Sequence, residues 1–224
     1  MKTSVEEIVV MCATDEAAGL PRAGLGGALA QLRRVPIACF HARSSEHHPR
    51  AGVYLAHRSE AILLHFAVED RFVIARHTRY QDPVCRDSCV EAFLEPVAGR
   101  GYFNFEFNCC GTMLASYCPV PIHEGGHTML PVESGGKVGI YASLAGPIQQ
   151  EVETPVHWTL TARIPLAVME PYVGRLSPLS GAVWRGNFYK CADDSSHPHW
   201  ASWRPVGEPL NFHKPSHFGS IRFQ

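Results

Sequence analysis

Tyr102-Phe103-Asn104-Phe105-Glu106-Phe107-Asn108-Cys109 is the stretch whose reading decides the fold. Phe103, Phe105 and Phe107 recur at every second position, and Tyr102, Asn104, Glu106 and Asn108 fill the places between them. Successive side chains of a β-strand point to opposite faces, so one face of this strand is built for a core. The other face carries two amides, a carboxylate and a phenol, where a solvated strand would more often carry Lys, Thr or Ser. The pattern reads as the floor of a polar groove laid across a sheet.

The same period extends outward along the chain. Ile62, Leu64, Phe66 and Val68 alternate with Leu63, His65, Ala67 and Glu69 in a well-buried strand. Val90, Ala92 and Leu94 alternate with Cys89, Glu91 and Phe93; Trp158, Leu160, Ala162 and Ile164 alternate with His157, Thr159, Thr161 and Arg163. Ala182, Trp184, Gly186 and Phe188 alternate with Val183, Arg185, Asn187 and Tyr189. Many short strands with few helices predict an all-β fold, an antiparallel β-sandwich of jelly-roll or immunoglobulin-like type. A short helix is expected over residues 25–34, stopped by Pro36, and a helical turn over 166–173, opened by Pro165. Residues 119–136 are rich in Pro and Gly and are expected to form a long loop. The length of 224 residues fits a single domain, 1–224, with a less regular N-terminal segment 1–51 and the sandwich over 52–224.

Composition excludes several classes of function. The net charge of -1 gives no electrostatic footprint for nucleic acid or an anionic membrane surface. No window approaches the eighteen or so continuous apolar residues of a membrane span. Glu6 and Glu7 stand where a signal peptide needs an apolar run, so the expected location is cytoplasmic, a trimmed leader aside. The eight cysteines are then expected to be reduced thiols. Cys85 and Cys89, if both in one extended strand, would lie about 13 Å apart, too far for a disulfide. Neither this pair nor Cys109-Cys110 has zinc-knuckle spacing, so buried thiols and no metal are expected.

The candidate site residues come from the polar faces. Glu91, Asn104, Glu106, Asn108, Arg163, Arg185, Asn187 and Tyr189 each stand opposite a core row on one of four strands. In a single sheet they would offer the mixture of donors and acceptors that vicinal sugar hydroxyls require. Trp200 and Trp203 lie in His197-Pro198-His199-Trp200-Ala201-Ser202-Trp203, outside any periodic strand, and an indole in such a place packs or stacks on a ligand. Asp87, Glu91, Glu95 and Glu106 could instead supply the two carboxylates of a glycoside hydrolase. The thirteen histidines show no His-Glu-x-x-His and no helical His pair, and most stand in apparent loops.

Several segments, in order, resemble the family 9-like carbohydrate-binding modules, relatives of the DOMON-type sandwiches. They are Asp87-Ser88-Cys89-Val90-Glu91, residues 102–111, Ile164-Pro165, Trp184-Arg185-Gly186-Asn187, and Trp203-Arg204-Pro205 with Asn211-Phe212-His213-Lys214-Pro215. The resemblance covers residues from Gly52 to the end. It implies a sandwich that binds a mono- or oligosaccharide on its concave side within carbohydrate catabolism. It also implies two aromatic residues clamping the sugar and calcium bracing loops. No tryptophan stands near Asp82, where the first clamp residue belongs, and Tyr80 is the replacement at hand. Asp193-Asp194 is the only acidic pair suggestive of calcium. Some DOMON relatives bind haem through Met with His or Lys, for which Met113 with Lys190 or His213 would serve. The leading expectation is a non-catalytic sugar-binding module, with hydrolase and haem binder as alternatives.

Overall fold

The computed structural model describes residues 7–13, 22–119 and 126–224. In chain order the strands are β1 (Ile8–Cys12), β2 (Val35–Ile37), β3 (Cys39–Phe40), β4 (Arg50–Arg58), β5 (Ala61–Asp70), β6 (Val73–Ala75), β7 (Cys89–Glu95) and β8 (Tyr102–Asn108). They continue as β9 (Met113–Cys118), β10 (Thr128–Met129), β11 (Gly139–Ala142), β12 (Ile148–Val152), β13 (Val156–Pro165), β14 (Val183–Cys191), β15 (Trp200–Ser202) and β16 (Gly219–Phe223). Three short helices, α1 (Arg22–Leu29), α2 (Val132–Gly135) and α3 (Glu170–Val173), and three 3-10 turns, Val84–Arg86, Leu166–Val168 and Pro215–His217, complete the described elements.

Two layers form. One runs β10-β9-β8-β7-β14-β16-β1 and the other β1-β4-β5-β13-β11. Strand β1 belongs to both, pairing parallel with β16 through Ile8–Val10 and with β4 through Met11 and Cys12. All other pairings among the described residues are antiparallel, as the hairpin-like alternation predicts. The core is the space between the layers. Phe103, Phe105, Phe107 and Phe188 enter it from the first sheet, and Leu64, Phe66, Trp158 and Leu160 from the second, all essentially without exposure. Phe66 and Phe188 meet across the gap with ring centroids 6.5 Å apart. The all-β sandwich predicted from the period-two rows is therefore the observed fold.

Local departures have physical causes. Helix α1 ends at Leu29, earlier than predicted, because the chain then tightens through Leu32 N–H to Leu29 O and turns into β2. Pro36 sits on that edge strand, where its missing N–H is harmless. Residues 128–135 of the expected loop hold β10 and α2. Trp200 lies in β15, a three-residue strand too short to show a period. Arg163 does not join the polar face: it is exposed on β13 in the second sheet, beside Gly139 and Leu63. Cys85 sits in a 3-10 turn, Val84–Arg86, and the strand begins only at Cys89.

Candidate functional site

The outer face of the first sheet carries side chains from Cys89, Glu91, Phe93 and Glu95 on β7. Tyr102, Asn104, Glu106 and Asn108 on β8 and Arg185, Asn187, Tyr189 and Cys191 on β14 share it. Register places Tyr189 opposite Glu91, and Glu91 opposite Glu106, so three sequence candidates form one row across the sheet. Cross-strand neighbours of this kind hold their Cβ atoms about 4.5–5.5 Å apart. This face is nonetheless buried, because the segment after β15 folds back over it.

Most of the polar row holds that covering segment in place. The Asn187 amide donates to Arg204 O and accepts Arg204 N–H, each at 2.9 Å, as a backbone partner would. Arg185 ion-pairs with Glu95 at 3.0 Å and donates to Pro215 O at 2.6 Å. Tyr189 donates to Phe212 O at 3.1 Å while its ring stacks on Phe212 with centroids 4.0 Å apart. Tyr102 OH lies 2.8 Å from His213 Nδ1. On β8, Asn108 donates to Asp87 and to His77 O and accepts from Cys110 and Thr112 N–H, closing the β8–β9 turn. Asn104 accepts from the Ser116 amide and hydroxyl and donates to Glu106 Oε1 at 2.7 Å, fixing that carboxylate.

Where the covering segment lifts away, a cavity of about 270 Å³ opens. Glu91 and Glu106 form its floor, with Phe93, Cys85 and Cys191; Trp200, Asp193 and the loop residues Leu210, Asn211, Phe212 and His213 complete the lining. The Trp200 indole N–H donates to Asp193 Oδ1 at 2.7 Å, which orients both. Of the sequence candidates, Glu91, Glu106 and Trp200 therefore meet at the cavity. Asn104, Asn108, Arg185, Asn187 and Tyr189 stand around it as its frame. Trp203 is only 5% exposed, in the core beside Phe188. Tyr80 lies elsewhere: its hydroxyl donates to Leu130 O, and its ring fills the space where a Cβ on Gly135 would stand, 2.4 Å away.

Sequence reasoning did not single out Phe93, Cys85, Cys191, Asn211 or Phe212 as site residues, and it named Asp193 only for calcium and His213 only for haem. Phe93 and Cys191 carried a signal, since they share the parity of Glu91 and Tyr189. The loop residues 211–213 carried one only through the resemblance of Asn211-Phe212-His213-Lys214-Pro215 to the family's closing segment.

The floor is electrostatically unusual. Burial holds Glu91 well above the usual carboxylate range, and Glu106 and Asp193 add to this against a thiol hydrogen bond from Cys191. Burial also pushes Glu106 up to about 7, against the Asn104 hydrogen bond. Asp193 is raised by burial, with the Trp200 bond opposing. A carboxyl kept protonated donates as well as accepts, so the pair offers both functions to a hydroxyl-rich ligand.

The cofactors implied by the resemblance fit poorly. Among the described residues, the one gathering of three acidic, thiol or imidazole ligand atoms is Cys89, Glu91 and Cys191. Two sulfurs are not calcium's all-oxygen donor set. For haem, Met113 and Lys190 lie in one cross-strand row separated by Phe107 and Val90. The buried Phe107 and Val90 side chains fill the row between the two, which leaves no room for a porphyrin. Lys190 is ion-paired in the interior, and His213 is on the opposite face.

Comparison with known proteins agrees with this architecture. The model of carbohydrate-binding family 9 matches residues 28–223. A solved structure from Bacteroides uniformis, of a protein presumed to be carbohydrate-binding, superposes with a TM-score of 0.86 at 29% identity, covering 98% of each chain. A family 9 carbohydrate-binding module from Caldicellulosiruptor kristjanssonii in complex with glucose gives a TM-score of 0.64 at 14% identity, covering 98% of this chain and 96% of that one. The cellotriose complex of a family 9 module from the same organism gives the same score and identity, over 98% and 94%. At that identity the likeness speaks for the fold. Among curated proteins none matches significantly.

Proposed function

Since the chain belongs to carbohydrate-binding family 9, we propose that its cavity between Trp200 and Phe212 binds one residue of a mono- or oligosaccharide. The observation that carries this reading is the combination at one place of a paired-acid floor and two aromatic walls. A sugar ring has apolar C–H faces for the rings and a rim of hydroxyls for Glu91, Glu106, Asp193 and Asn211. A volume of about 270 Å³ lies just below the roughly 300–1,000 Å³ of drug-sized pockets. It suits a single sugar ring or the end of a chain better than a long one. Eight free thiols support a reducing compartment, and we place the protein in the cytoplasm on that ground.

The test is calorimetric titration with glucose and cellotriose, followed by a panel of other monosaccharides. Binding that is lost in Trp200→Ala supports the reading. A panel in which no sugar binds the folded wild type overturns it. The Glu91–Glu106 pair favours a second reading, glycoside hydrolysis. Retaining enzymes hold two carboxyl groups about 5–5.5 Å apart and keep one of them protonated near neutral pH. Turnover of chromogenic glycosides by the wild type would establish it in place of simple binding.

A further inference from the structure

Sugar binding uses the acids of the cavity floor but leaves its thiols without a role. Cys89 and Cys191 stand directly opposite each other on β7 and β14. Glu91 follows Cys89 by two residues, so all three side chains project from the same face. The two sulfurs and one carboxylate oxygen lie within 4.8 Å of one another, and all three residues are buried. The Cys191 thiol already donates to Glu91 Oε1 at 3.1 Å, so a proton occupies the place between ligand atoms where a cation would sit. Glu106 and Asp193 line the same cavity and place further carboxyl oxygens beside these three groups.

We propose that Cys89, Cys191 and Glu91 form a binding site for a thiophilic divalent cation of the zinc class. Tetrahedral zinc takes sulfur at about 2.3 Å and carboxylate oxygen at about 2.0–2.2 Å, which sets its ligand atoms about 3.5–3.8 Å apart. The three atoms all lie within 4.8 Å of one another, at most about 1 Å beyond that spacing. Two thiolates and one carboxylate more than balance a dipositive ion, and binding expels the protons that these three groups carry. Sulfur donors select zinc-like ions over calcium or magnesium. Glu91 and Cys191 line the cavity, so the fourth coordination position opens into it, the arrangement of a site that keeps an exchangeable ligand. The ligands come from distant parts of the chain, which is why no knuckle spacing betrays them.

The test is titration of reduced, metal-free protein with Co²⁺, read as the thiolate-to-cobalt charge-transfer band and the d–d bands of a tetrahedral ion. One equivalent per chain is expected, displaced by Zn²⁺. Cys191→Ser and Glu91→Gln should each lower affinity by more than about 100-fold, beyond the 10–100-fold typical of outer-shell partners. Cys110→Ser, in the β8–β9 turn, should change nothing. Because Cys191→Ser could disturb the fold, circular dichroism accompanies each variant, and the wild-type spectrum alone decides whether thiolates bind. The absence of a charge-transfer band in the wild type overturns the proposal. So does a band unchanged in folded Cys191→Ser, or a Cys89–Cys191 disulfide that persists under reductant. Sugar titrations run with a chelator present are indifferent to these outcomes, so the two readings fail separately.

Discussion

The Lys190 ammonium lies 3.1 Å from Asp70 Oδ2, and both side chains are fully buried. Lys190 falls on the core-facing side of β14 with Trp184 and Phe188, while Asp70 ends the core-facing row of β5, so the ion pair ties the two sheets together. Its surroundings complete it. Lys190 also donates to His199 Nε2 at 2.7 Å and to Cys191 O, and Asp70 Oδ1 lies 2.8 Å from His47 Nε2. The acceptor role of His199 Nε2 fits Nδ1–H donation to His197 O. Removing one member of a buried pair strands the other, at about 3–5 kcal/mol. Asp70→Asn should cost about that much in urea unfolding. Replacing Lys190 and Asp70 together with Met and Leu should cost less than the two single changes added. Strict additivity would show that the pair is not coupled.

The same cluster predicts a pH dependence. Burial, with Lys190 next, lowers His199 to about 3, against the pull of Asp70 and the His197 carbonyl. Asp70 is held below its ordinary value: burial alone would raise it, but Lys190, His47 and His199 outweigh that. Both folded-state values lie below the unfolded ones, so the unfolded chain binds more protons and stability rises with pH. The contribution of His199 should be complete above about pH 6.5 and lost progressively toward pH 3. Asp70 adds its loss below pH 4. Raised carboxyls such as Glu106 act in the opposite sense, so the readout is the difference between wild type and His199→Gln. Urea midpoints at pH 7, 5.5 and 4.5 should converge as pH falls. A constant difference would rule out a neutral buried His199.

Phe105 is completely buried between the sheets. Phe105→Ala should therefore cost roughly 3–5 kcal/mol, seen as a lower urea midpoint at an unchanged slope. A loss under about 1 kcal/mol would mean that the core is not packed around this residue.

The long period-two rows made β5, β7, β8, β13 and β14 legible because each spans at least seven residues, enough for alternation to show. Strand β1 was not legible: its five residues pair parallel with β16 and β4, contacts set by the whole fold. The site was half legible for a different reason. A polar face looks the same in sequence whether it meets a ligand or the backbone of a covering loop. Asn187 and Arg185 meet carbonyls of residues 204–218, which no local pattern announces. Glu91 and Glu106 share their row with Tyr189, yet of these three only the two acids reach the cavity with Trp200.

Tyr189 separates framing from contact. Tyr189→Phe removes the hydrogen bond to Phe212 O but keeps the ring that stacks on Phe212. A neutral hydrogen bond contributes about 0.5–1.5 kcal/mol, so a small loss of stability is expected. Sugar affinity should fall only through a looser wall. A loss of binding as large as that of Trp200→Ala, at unchanged stability, would instead put the phenol in contact with the ligand.

Glu106→Gln distinguishes the two functional readings at the residue where both meet. The side chain stands opposite Glu91, takes a hydrogen bond from Asn104, and lines the cavity. Glutamine keeps its shape and the oxygen that accepts from Asn104, so the fold should persist. Removing a carboxyl that burial disfavours in its charged form should not lower the thermal midpoint at pH 8. A binding module loses one charge-assisted hydrogen bond, which amounts to about 1.5 kcal/mol or roughly a tenfold weaker Kd. A hydrolase using Glu106 as acid or nucleophile would lose turnover while keeping or tightening its hold on substrate. Calorimetry and a chromogenic glycoside assay on wild type and variant resolve the two. If the wild type binds sugar and Glu106→Gln changes neither affinity nor any turnover, the acid row is not the recognition surface. The ligand must then contact the aromatic walls alone.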